Sequence, residues 1–148
     1  MNKKELVLPA TISLLIIALF GLLSLIRDPL RTLGVGASIY SSIETIIILG
    51  LPPAAPIIYG WIRGDKIGSM IIGIIPMAGF IFGGLLGLLI SGGSSNLPEM
   101  VRSIAYVGSL SMAGGLAGYF ASKRKLKYLL VAICFGILWI FILLSGIH

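Results

Sequence analysis

Charge is what this chain has least of. Of its 148 residues 11% are Asp, Glu, Lys or Arg, and between Lys66 and Glu99 there is none. Soluble domains carry about 25% charged residues, so this chain cannot cover a water-facing surface. Thiols and imidazoles are also scarce. The lone Cys134 lies in an apolar run, which excludes an intrachain disulfide and reads as a small buried hydrophobe. The lone His148 is terminal, with no second ligand nearby to share a metal.

Catalytic patterns are missing too. Ser94 and Ser95 have no neighbouring His or Lys to activate them. Gly34-Val35-Gly36 lacks the preceding strand and third glycine of a dinucleotide loop. An enzyme acting on lipid or peptide bonds needs convergent acids, bases or metal ligands, and the apolar runs offer almost none. The expectation is a non-catalytic protein with no cofactor and no metal. The net charge of +6 invites a nucleic-acid reading. No basic face or folded basic module accompanies it, and Lys and Arg flanking membrane spans explain it. No nucleic-acid partner is expected.

What the chain has is hydrocarbon. Hydrophobic residues make up 57% of it, and the mean hydropathy is +1.10. About 20 apolar residues of helix cross the hydrocarbon of a bilayer, and several runs are that long. The fold expected is an all-α integral membrane protein, a single domain over 1–148 with five spans near 5–26, 42–62, 67–90, 101–121 and 128–146. Met1-Asn2-Lys3-Lys4 before an apolar run resembles a signal peptide, but that run is long and no small-x-small site follows, so a retained first span is expected.

Arg27-Asp28-Pro29 is expected to stop the first span. Leu30–Ser42 is ambiguous, and Leu30–Pro56 folded as a re-entrant pair would change the count by one. Arg63-Gly64-Asp65-Lys66 reads as a tight turn, and 91–99 as a loop. Asp28, Asp65 and Glu99 read as solvated loop carboxylates.

Orientation follows from the basic residues. Lys3, Lys4, Arg63, Lys66, Lys123, Arg124, Lys125 and Lys127 fall on one side, and Arg27, Arg31 and Arg102 on the other. That bias predicts a cytoplasmic N-terminus and an outside C-terminus in the plasma membrane. The cluster 123–127 sets topology and can attract anionic headgroups. Trp61, Tyr106, Tyr119 and Tyr128 lie near span ends, where amphipathic rings favour the interface.

Three features could carry function. Gly79, Gly83 and Gly87 recur every four residues in span three, with Gly73 and Gly84 nearby, and Gly114 and Gly118 do so in span four, with Gly108, Ser111 and Gly115 on neighbouring positions. Such spacing clears one helix face for close packing in lipid. It serves internal packing, self-association or a backbone-lined path. Pro52, Pro53 and Pro56 withhold amide donors inside span two and are expected to break it. They either end the span or form the discontinuous helix of a transporter site. Pro76 adds a milder kink. Glu44 is an ionisable residue within span two, either a shallow cap or interfacial charge, or a deep proton or cation site. Arg31 or Arg102 would be its partner.

Two functional classes follow. The first is an accessory or packing subunit of a membrane complex, whose partners are the bilayer and other membrane subunits. The alternative is a homo-oligomeric transporter or channel using Glu44 and Pro52, Pro53 and Pro56.

Overall fold

The computed structural model describes residues 3–33, 37–90 and 97–145. They form five helices: α1 (Lys3–Leu33), α2 (Ala37–Arg63), α3 (Lys66–Ile90), α4 (Leu97–Ala121) and α5 (Leu126–Ser145). No strand occurs among the described residues. Leu6–Ile26, Ser42–Arg63, Met100–Ala121 and Leu126–Ser145 are each long and apolar enough to cross a membrane. On α3 the described apolar stretch is Lys66–Gly79, and the sequence remains free of charge to the end of the helix at Ile90. The chain is a helical membrane bundle.

Helix boundaries differ from expectation where proline was expected to decide them. α1 runs through Pro29 to Leu33 rather than stopping at Arg27. α2 is continuous from Ala37 to Arg63 across all three of its prolines, so they do not divide it and no re-entrant pair forms. A proline deletes one helical hydrogen bond and clashes with the turn before it. Within a packed bundle, neighbouring groups and local adjustment absorb that loss.

The distribution of side-chain size is that of lipid solvent. Many buried positions are small: Ser13, Ser69, Ala117, Ala121 and Ala132 are fully enclosed. Large aliphatic residues such as Leu15, Leu25, Ile46 and Ile62 point outward. Water would reverse this order. In lipid, where outward leucine costs nothing, close backbone approach holds helices together.

α4 is the hub, packing most closely on α3 and then on α5 and α2, while α1 leans on α3 and only loosely on α2. The tightest seam joins α3 to α4. A Cβ at Gly114 would stand 2.7 Å from the carbonyl oxygen of Gly73, and one at Gly73 would collide with the Gly114 and Gly115 backbone. The seam extends to α2, where a Cβ at Gly60 would meet the Gly118 oxygen at 2.7 Å. Around it a core of Ile16, Phe20, Ile72, Met77, Leu110 and Trp139 fills the bundle.

The α2–α3 and α4–α5 turns share one end. Gly64, at a φ of 67°, closes α2 with a 2.8 Å bond from its N–H to the Gly60 oxygen, the left-handed cap that glycine permits. Asp65 then caps α3, its Oδ1 accepting the Gly68 N–H at 3.0 Å and its Oδ2 the Tyr59 hydroxyl at 3.2 Å. It is therefore a helix cap and half-buried, not a solvated loop charge. Arg124 reaches across from the α4–α5 turn, its Nε donating to the Trp61 oxygen at 3.0 Å and its Nη2 to the Ile62 oxygen. These carbonyls end α2 and have no helical donor.

Candidate functional site

Glu44 lies in the first third of α2, buried with 8% of its surface exposed. Eight residues of helix separate it from Pro52, about 12 Å, and the apolar stretch of α2 begins at Ser42. The side chain is thus enclosed by the bundle near the end opposite the basic turns. Of its two expected partners, Arg102 is exposed on α4, and the Arg31 side chain lies outside the described residues.

Pro52, Pro53 and Pro56 are all buried and turn into the bundle rather than toward lipid. Pro56 meets α4, its Cβ 3.0 Å from where a Gly118 Cβ would stand. Pro53 faces α5 beside Gly136. Together they deprive the carbonyls of Ile48, Leu49 and Pro52 of their usual helical donors. Pro76 on α3 is also buried. Glu44 and the proline turn share a helix but not a level, so the structure does not bring the four residues into one site.

The glycines separate in the same way. Gly114 and Gly118 lie in the α3–α4 seam, with a Cβ at Gly118 standing 2.5 Å from the Ser69 oxygen. Gly79 faces α1 instead, where a Cβ would meet Ile17 at 2.9 Å. Gly83 and Gly87 are on α3, but their surroundings lie outside the described residues. The partner of Gly114 is Gly73, an off-register glycine of span three. Strict four-residue spacing passes over it, because a crossing pair of helices touches over only about two turns.

Trp139 went unnoticed in the sequence. It is fully buried on α5, and its indole Nε1 has no hydrogen-bond partner among the described groups. One turn before it, a Cβ at Gly136 would stand 3.3 Å from Ile57 and 3.7 Å from Pro53 of α2. With α2 and α5 antiparallel, that turn brings Trp139 level with residues just before Pro53. An orphaned donor therefore sits at the height where α2 has orphaned acceptors. The signal was available: a tryptophan deep in an apolar span must place an N–H somewhere.

Elsewhere, hydroxyl groups answer to their own helices. Ser13 Oγ donates to the Pro9 oxygen at 2.9 Å, Ser69 Oγ to the Asp65 oxygen at 2.7 Å and Ser122 Oγ to the Tyr119 oxygen at 2.7 Å. Two tyrosines tie helices together at the far end. Tyr106 donates to the Leu143 oxygen of α5 at 2.8 Å, and Tyr40 to the Leu23 oxygen of α1. Tyr106 is therefore a strut between helices. At the basic end Lys123 Nζ lies 4.7 Å from the Tyr119 ring and 4.5 Å from that of Tyr128, within cation–π range. No cluster of three His, Cys, Asp or Glu able to hold a metal occurs among the described residues.

No protein family, curated protein or solved structure matches this chain.

Proposed function

We propose that the chain is a non-catalytic, multi-pass subunit of a membrane complex, placed in the cell membrane with its basic end in the cytoplasm. What supports this reading is how the interior is filled. Glycine, alanine and serine bring α2, α3 and α4 to backbone contact, and the buried serines named above turn to their own helices. The outer surface is left as a continuous set of large aliphatic side chains on all five helices. Such a molecule presents shape and apolar area to lipid and to other spans, and little that would bind a polar substrate. The orientation rests on the eight basic residues of one end against three at the other.

Native mass spectrometry after gentle detergent extraction tests this directly. Other membrane chains held at a fixed ratio are the expected result. A stable assembly of this chain alone would overturn it.

One observation favours a second reading, a homo-oligomeric transporter. Glu44 is a carboxylate buried inside a span, and such residues belong to ion and proton pathways. Flux that vanishes in Glu44→Gln, with expression and helicity intact, would establish transport in place of the subunit role.

A further inference from the structure

Between α1 and α2, which barely touch, lies a groove of about 350 Å³ open to the outside. Leu8 and Ile12 form one wall, Ala55, Ile58 and Ile62 the other, and Arg63 stands at its end. Ala55 to Ile62 is seven residues of helix, so the slot is about 10 Å long. It runs from the polar turn into the apolar part of the bundle. The rest of the lining is the Tyr59 ring, whose hydroxyl is turned away onto Asp65.

Arg63 and Lys66 are exposed at the open end. The Asp65 carboxylate between them accepts from the Gly68 N–H and the Tyr59 hydroxyl, so these three residues together carry a net positive charge. Arg124 is committed to the end of α2, and Lys123 to aromatic rings. An apolar groove ending in an exposed guanidinium at the level of a helix terminus matches one kind of molecule: an acyl chain attached to an anionic headgroup. A span-length helix would overrun a groove about 10 Å long.

The geometry points to a binding site for an anionic glycerophospholipid, with one acyl chain in the α1–α2 groove and its headgroup phosphate on Arg63. The site is independent of whether the chain serves as a subunit or a transporter.

The test uses the full chain, delipidated in mild detergent and offered equal phosphatidylglycerol and phosphatidylcholine of identical acyl chains, read by native mass spectrometry. One retained phosphatidylglycerol per chain, preferred about five-fold, is expected, the worth of one interfacial cation. Arg63→Gln should bring the two lipids to parity. Ala55→Leu, which fills the floor of the groove, should reduce retention of both. Where that variant fails to fold, Ile58→Trp narrows the same slot from its exposed rim. Equal retention of both lipids by the unaltered chain overturns the site. So does a preference that survives Arg63→Gln, or one abolished only by Lys125→Gln with Lys127→Gln, which would move the headgroup to the α4–α5 turn. Glycerophosphate competing as well as the whole lipid would show that the groove takes no chain.

Discussion

The two ends of the bundle are held by different means. At the basic end the turns are closed by backbone devices: the left-handed Gly64, the Asp65 cap and the Arg124 side chain laid over the last carbonyls of α2. Gly60, Ser69 and Gly118 meet just beneath them at backbone distance. At the far end, struts replace contact: Tyr106 of α4 reaches the Leu143 oxygen of α5 and Tyr40 of α2 the Leu23 oxygen of α1, while Val101–Ala105 of α4 stay exposed. The difference teaches that close packing in lipid requires the helices to be aligned first, and that short capped turns align them. At the other end, tyrosine hydroxyls reach the carbonyls of neighbouring helices instead.

The sharpest way to break this contrast is at the seam. Gly73→Leu would drive a side chain into the Gly114 backbone. Its cost should exceed the usual overpacking range of about 1–3 kcal/mol, since neither main chain can yield. Loss of the folded form in a detergent unfolding titration is the expected readout. Next is Asp65→Ala, which removes the cap of α3 and should cost about 1–2 kcal/mol, with Asp65→Asn restoring most of it. Tyr106→Phe deletes one strut at the far end and should cost about 1 kcal/mol, visible as a shift in the same titration. The smallest effect belongs to Gly50→Leu. Nothing lies within 4 Å of its Cβ position, so stability should move by less than about 0.5 kcal/mol. If Gly50→Leu nevertheless disrupts a native assembly, that face of α2 meets a partner.

All five helices were legible in the sequence because charge and apolar runs alternate at span length. The turn 63–66 was legible because Gly and Asp at helix junctions have specific jobs. Proline was the misleading signal. Pro29 and the cluster at 52–56 were read as helix stops by a rule set for water, and a bundle that supplies other contacts lets both helices continue. Which glycines meet was half legible. Spacing singled out Gly114 and Gly118, but the crossing of α3 over α4 selects Gly73 and turns Gly79 toward α1. Glu44 could be placed near the end of its span by counting residues. Its enclosure could not, because that depends on how neighbouring helices close around it. Asp65 was misread for the same reason, since a cap and a solvated charge look alike until Tyr59 and Gly68 are in place.

The isolated N–H of Trp139 has an optical consequence. The chain holds two tryptophans: Trp61 at the basic end, partly exposed, and Trp139, enclosed, with no partner for its N–H among the described residues. An indole enclosed among apolar side chains emits toward the short-wavelength limit, while a partly exposed one emits further to the red. The bundle therefore carries two intrinsic lamps of different colour, and the blue one goes out only when α5 leaves α2.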